Sequence, residues 1–255
     1  MRRDAHSLLR ISIVVALSAT LLHTPDARSQ QAQGQQAQGS IDHPYRGVTT
    51  IVPGAFVTPV PGAPFSAMVD IQTTVILDDG QTAMRKSTAR IARDSQGRIY
   101  NERRTLVPVS SSETPDLLSA HLYDPQTRLS VFLNPNTHLA KEMVLPRNPD
   151  APSHPLGPDM KQEELGTNTM DGIAVRGVLQ TRLVLAPAST TGRPLTIQDQ
   201  YWYSDELHLN MLIKHDDPRT GSQIVSVTKV VRTEPDPKLF QVPTGYKVVD
   251  ETPVE

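Results

Sequence analysis

Between Ser204 and Gly221 the chain alternates with a period of two. Leu207, Leu209, Met211 and Ile213 fall on one side, and His208, Asn210 and Lys214 on the other. Successive side chains point to opposite faces in an extended strand, so the run reads as a half-buried strand. Polar clusters bound it: Ser204-Asp205-Glu206 before, and Asp217-Pro218-Arg219-Thr220-Gly221 after. These residue types preset turn dihedrals or bond their own backbone. The stretch from Asp199 to Val249 therefore reads as three strands joined by two tight turns, closed by a short anchoring segment.

The same rhythm fills most of the chain upstream. Phe65, Ala67, Val69, Ile71, Val75 and Leu77 share one face of a strand that ends at Asp78-Asp79-Gly80. Strands follow over Gln81–Arg93 and Arg98–Val107, with Asp94-Ser95-Gln96-Gly97 between them. Three short strands, Ala120–Tyr123, Arg128–Leu133 and His138–Leu145, are separated by Asp124-Pro125-Gln126-Thr127 and Asn134-Pro135-Asn136-Thr137. Proline at the second turn position, after Asp or Asn, suits a type I turn. The proline-rich stretch 146–158 reads as an irregular loop, and Met160–Leu165 as one helical turn capped by Gly166. After Asp171-Gly172, Ile173, Val175, Leu179, Leu183 and Leu185 face one way, and Arg176, Gln180 and Arg182 the other. The expectation is a mainly β fold: about ten strands in a curled antiparallel sheet, an incomplete β-barrel, with few short helices.

The start of the chain has a different logic. Arg2, Arg3 and Arg10 precede an apolar run from Ile11 to Leu22, and Ala27-Arg28-Ser29 fits a small-x-small cleavage site. That is the layout of a secretory signal peptide over 1–29. Residues 30–64 carry a repeated QQAQG spacer and then a proline-rich arm laid loosely along a single β domain over 65–250. The expected location is the periplasm or the extracellular medium, with membrane contact peripheral at most. With no cysteine in the chain, a disulfide framework and a lipid-modified cysteine are both excluded. A net charge of −2 gives no basic surplus for nucleic acid.

No catalytic signature is present: no G-x-S-x-G, no H-E-x-x-H and no glycine-rich phosphate loop. His208 and His215 stand seven apart, on opposite faces of a strand, so no metal site is expected, and no cofactor is called for. Asp78-Asp79, Glu163-Glu164 and Asp216-Asp217 have sufficient local roles in turns. Arg85, Lys86, Arg90, Arg103 and Arg104 concentrate positive charge in one hairpin region. They form either a contact for an acidic envelope partner, or a solvated face whose charges guard a sheet edge. Trp202, between Tyr201 and Tyr203, is either core packing or a ligand wall.

Several motifs occur together and in order: Asp94-Ser95-Gln96-Gly97-Arg98, Tyr123-Asp124-Pro125, Phe132-Leu133-Asn134-Pro135, Glu164-Leu165-Gly166, Met170-Asp171-Gly172-Ile173, Trp202-Tyr203-Ser204, Asp217-Pro218-Arg219 and the run from Glu234 to Pro243. The set resembles a group of secreted bacterial proteins without assigned activity, common in acidobacteria. More distantly the layout is similar to the periplasmic lipoprotein-carrier superfamily, which includes outer-membrane lipoprotein-sorting proteins and a sensor domain of sigma-E signalling. The resemblance implies an apolar concavity that holds an acyl chain or a lipoprotein segment. No amphipathic helices to cover such a concavity are evident here.

The reading at this level is thus an exported, non-enzymatic binding protein. Its concave face would be lined by Val69, Ile71, Val175, Leu179, Leu183, Trp202, Leu209 and Met211. The alternatives are a structural or interaction module with a self-filled core, or a hydrolase of unknown specificity. Asp236 and Pro237 favour a helical turn before Pro243 and Gly245 stop it, with Phe240 plugging the end of the sheet and locking a final strand over Tyr246–Val249.

Overall fold

The computed structural model describes residues 57–77, 79–146, 157, 159–189 and 192–253. The expected signal peptide, the spacer, the arm up to residue 56, Asp78 and nearly all of the proline-rich loop lie outside the described residues.

Among the described residues thirteen strands form one sheet, three more than about ten: β1 Phe65–Ile76, β2 Thr82–Arg93, β3 Ile99–Arg104, β4 Val107–Pro108, β5 Leu117–Asp124, β6 Leu129–Asn134, β7 Leu139–Val144, β8 Met160–Met170, β9 Ile173–Val184, β10 Leu195–Ser204, β11 Leu209–Asp217, β12 Gly221–Val231 and β13 Lys247–Asp250. The order across the sheet is β13-β7-β6-β5-β3-β2-β1-β12-β11-β10-β9-β8, with β4 added on β2. The sheet is curled and open, not a closed barrel. Nearly every neighbour is also next in sequence, so most of it is a meander. The pairing of β1 with β12 joins the two halves.

The turns use the chemistry their residues supply. Asp94 Oδ1 accepts from the Gln96 and Arg98 amides at 3.0 and 2.8 Å, and Asn134 Oδ1 from Asn136 at 3.0 Å. Asp124 and Asp217 do the same for Gln126 and Arg219. Arg128, His138 and His208 each close a turn with positive φ, at 62°, 51° and 50°. A left-handed residue after a type I turn returns the chain to the ladder with the right twist. Gly97, at φ 86°, has a second constraint: a Cβ there would lie 3.1 Å from the backbone of Val60 and Pro61.

Residues 57–64, expected as the end of a loose arm, are clamped. The buried Arg93 guanidinium donates to the Thr58 carbonyl at 2.7 Å and to the Ala63 carbonyl at 2.9 and 2.7 Å, and lies over the Phe65 ring. Burial lowers its pKa to about 10. Val57 is fully enclosed in the main core.

Three further expectations are corrected. Met160–Leu165 is not a helical turn but the start of β8, the exposed edge strand. Its hydrogen bonds go to β9, and a bulge falls between Glu164 and Gly166, the latter at φ 79°. The strand read as Arg98–Val107 breaks after Arg104, and β4 returns to β2. The last strand runs parallel to β7, where an all-antiparallel sheet was expected.

The sheet has two cores on opposite faces. On the inner face, Phe65, Ala67, Val69, Ile71, Ala89, Ile91, Ile99, Ile213, Val225 and Val227 cluster with Tyr123 and Tyr201. On the outer face of β3, β5, β6 and β7, Tyr100, Ala120, Leu122, Val131, Leu133 and Ala140 cluster under Leu239, Phe240, Val242 and Tyr246. The 3-10 turn Pro237–Phe240 is capped as expected: Asp236 Oδ1 accepts from the Lys238 amide at 2.9 Å. Phe240 is half-buried on this outer cluster, with the Arg98 guanidinium 5.3 Å from its ring, so it covers a face instead of plugging an end.

Candidate functional site

Directly paired residues on neighbouring strands share a face, so the register assigns each expected ligand-facing residue to a side. One row crosses six strands: Val178, Tyr201, Ile213, Val225, Ile71 and Ser87. The next row contains Val227, Val69 and Ala89. Both belong to the inner face. The intervening row, Gly177, Trp202, Leu212, Ser226, Asp70 and Thr88, lies on the outer face.

The eight expected residues therefore divide. Val69 and Ile71 are on the inner face and buried, and Val175, Leu209 and Met211 are buried in the same cluster. Trp202 falls in the outer-face row: Tyr201 and Tyr203 are buried, while Trp202 is half-buried, packed against the margin of the main core cluster, with its ring against Gly177, where a Cβ would meet it at 2.9 Å. Leu179 is paired with Gln200, in line with Lys214, Ile224 and Gln72 on that outer face. Leu183 lies farther along the same strand and is 46% exposed. The reason lies in where β9 is paired. Its ladder with β10 runs only from Arg176 to Val184, so Val175 lies beyond it, at the hairpin end, and joins the core separately from Leu179 and Leu183.

The expected cationic patch divides as well. Arg85, paired with Thr73, and Arg103, next after Asn101 on its face, belong to the inner side; Lys86 and Arg90, paired with Gln72 and Met68, belong to the outer side. Arg104 is committed to Glu102 at 2.7 Å and to the Pro115 carbonyl at 3.0 Å. The buried Glu102 also accepts from Tyr100 Oη at 2.9 Å and the Arg90 amide at 3.1 Å. Burial works to raise its pKa, but these hydrogen bonds together outweigh it and hold the carboxyl below its ordinary value. The Tyr100 phenol is pushed up, by burial first and then by Glu102. Arg103 is exposed and makes no ion pair or side-chain hydrogen bond among the described residues.

A cavity of about 160 Å³ opens where β1, β2, β3 and β5 meet, lined by Ile71, Ser87, Ala89, Arg103, Arg104, Thr105, Leu106, Leu118 and Gln223. Its floor, Ile71 and Ala89, is the margin of the inner core, and Leu106 and Leu118 at its mouth are exposed. The buried Ser87 hydroxyl has no hydrogen-bond partner among the described residues. Farther along the inner face a second polar group is buried. Asn101 pairs directly with His121, and neither Asn101 amide atom nor His121 Nδ1 has a partner among the described residues. His121 Nε2 lies 2.9 Å from Ser130 Oγ and its ring stacks on Phe132 at 4.3 Å. Burial lowers its pKa to about 4.

Of these, only Ile71, Arg103 and Arg104 belong to the residues selected from sequence. Ser87 carried only a weak signal: it ends the buried phase of Ala89 and Ile91, with Arg85 next on the same face. Asn101 and His121 had none, because each sits in a strand of mixed polarity. Among the described residues no group of three or more acidic, His or Cys side chains is placed to hold a metal ion, and no helix is long and apolar enough to cross a membrane.

No protein-family model and no curated protein sequence matches the chain. Solved structures with a similar fold include a conserved protein from Thermus thermophilus, at 11% identity and TM-score 0.40, covering 74% of this chain and 91% of that one. A LolA superfamily protein from Nitrosomonas europaea matches at 13% identity and TM-score 0.30, covering 71% and 91%. The MucA/MucB complex of Pseudomonas aeruginosa matches at 8% identity and TM-score 0.38, covering 73% and 58%.

Proposed function

We propose that this is a non-enzymatic binding protein, exported by removal of residues 1–29, that accepts an apolar group in the cavity between β1, β2, β3 and β5. The observation that carries the reading is the cavity itself. Its apolar floor of Ile71 and Ala89 is continuous with the core, and two leucines stand exposed at its mouth. An apolar group seated in the cavity would take Leu106 and Leu118 out of water together with its own surface. The expected ligand is an acyl chain or an apolar lipoprotein segment entering tip first. A volume of about 160 Å³ is that of a cavity able to take benzene, so the part of the ligand it covers is about six carbons.

A second reading, a structural or interaction module with a self-filled core, has its own observation. Val69, Val175, Leu209 and Met211 are all buried in the main core cluster, which its own side chains fill there. Titration with a neutral fluorescent acyl probe separates the two. Saturable binding that is lost in Ala89→Leu and kept in the distant Val248→Asp supports the cavity. Binding that is absent, or indifferent to Ala89→Leu, leaves the module reading.

A further inference from the structure

Resting on the cavity reading above, we infer that the site selects an alkyl carboxylate: an apolar chain whose tip lies on Ile71 and Ala89 and whose carboxylate is held at the mouth by Arg103. Charge at this corner points to the sign of the ligand. Two arginines line the cavity, Arg103 and Arg104. Arg104 is committed to Glu102 at 2.7 Å, within a network that also uses Tyr100 and the Arg90 side chain, 3.9 Å from the same carboxylate. Arg103 has no carboxylate partner among the described residues. A positive group at the mouth of a low-dielectric cavity attracts an anion and repels a cation.

The number of charges narrows the class. One uncommitted guanidinium matches one carboxylate, with which it forms two parallel N–H···O bonds; a phosphate monoester would bring nearly a second charge with no second free cation lining the cavity. The half-buried Gln223 amide, which also lines the cavity, is able to donate a hydrogen bond to an anion. The cavity volume sets the length, about six carbons below the carboxylate before the chain must leave the cavity.

The test is a titration of the isotope-labelled protein, followed by amide and methyl NMR, with four ligands that share a six-carbon alkyl chain: heptanoate, hexyl phosphate, 1-hexanol and hexylammonium. Heptanoate should bind about fivefold to tenfold more tightly than 1-hexanol, hexylammonium more weakly than either, and added salt should erase the difference. Arg103→Gln should bring heptanoate down to the affinity of 1-hexanol and leave 1-hexanol unchanged. Arg103 is exposed, so this variant keeps the fold, and its thermal unfolding checks that. Equal affinity for heptanoate and 1-hexanol overturns the carboxylate inference while leaving the cavity reading intact. Preference for hexyl phosphate overturns the choice of anion, and a preference that survives Arg103→Gln overturns the role of Arg103. If none of the four binds, both readings fall together.

Discussion

Acidification should destabilise this protein through one side chain, His121, before its carboxylates come into play. The imidazole is buried, bonded through Nε2 to Ser130 Oγ and stacked on Phe132, with no acidic group among the described residues bonded to it to stabilise a positive charge. Burial therefore lowers its pKa from 6.5 to about 4. In the unfolded chain the ring returns to its ordinary value, so between those limits the unfolded state binds more protons and stability falls as pH falls. The contribution is fully present above about pH 6.5 and gone below about pH 4. From 6.5 to about 4, at about 1.4 kcal/mol per unit, the loss is about 3 kcal/mol. Urea midpoints measured at half-unit steps from pH 7 to pH 4 report it, provided the slope of the unfolding curve stays constant. His121→Asn removes the titration and should flatten the profile in that window. Glu102 acts in a different window, because a carboxyl held below its ordinary 4.5 loses its stabilising effect only at lower pH. An unchanged midpoint between pH 6.5 and pH 4, or the same decline in His121→Asn, would refute the reasoning.

Other substitutions separate the parts of the fold. Arg93→Ala removes three charge-assisted hydrogen bonds to the Thr58 and Ala63 carbonyls, partly offset by relief of burying a cation, and should cost about 3 kcal/mol in denaturant unfolding. Limited proteolysis of that variant should cut within residues 57–64 before any strand is lost. Phe240→Ala, half-buried on the outer cluster, should cost about 2 kcal/mol, and Lys238→Ala less than about 0.5 kcal/mol; equal midpoints would mean the segment anchors nothing. Ser87→Ala deletes a buried hydroxyl that has no partner among the described residues, so unfolding midpoints should stay level or rise by up to about 1 kcal/mol, and a fall would mean the hydroxyl is satisfied.

The strands that the alternation announced are those with one face in a core. In the core-facing parts of β1, β11 and β12 alternate side chains are buried, and that period is visible in Val69, Ile71, Met211, Ile213, Val225 and Val227. β8 was read as a helical turn because it is an edge strand exposed along nearly its whole length, so Lys161 to Thr169 never needed an apolar phase. Its strand character comes from hydrogen bonds to β9, which leave no mark on side-chain type. The parallel addition of β13 is hidden for the same reason.

The candidate site was legible in composition but not in orientation. Alternation places Val175, Leu179 and Leu183 in one phase, yet only register against β10 shows which side of the sheet that phase occupies. For Trp202, the neighbouring tyrosines took the inner positions, and the bulge between Trp202 and Tyr203 is a feature of pairing, not of sequence. The cavity joins residues from β1, β2, β3, β5 and β12 with the link after β3, so no local window contains it. Its local signs are the apolar phase at Ile71, the charge of Arg103 and Arg104, and the polar Ser87 at the end of the phase of Ala89 and Ile91.

The most direct measurement of the central claim is methyl NMR of protein labelled at Ile, Leu and Ala, titrated with 1-hexanol, a neutral ligand that isolates the apolar contact. The cavity reading requires saturable shifts centred on Ile71, Ala89, Leu106 and Leu118, with the sealed Leu209 left in place. Unmoved methyls at those four positions, or shifts centred instead on Leu209, would contradict it.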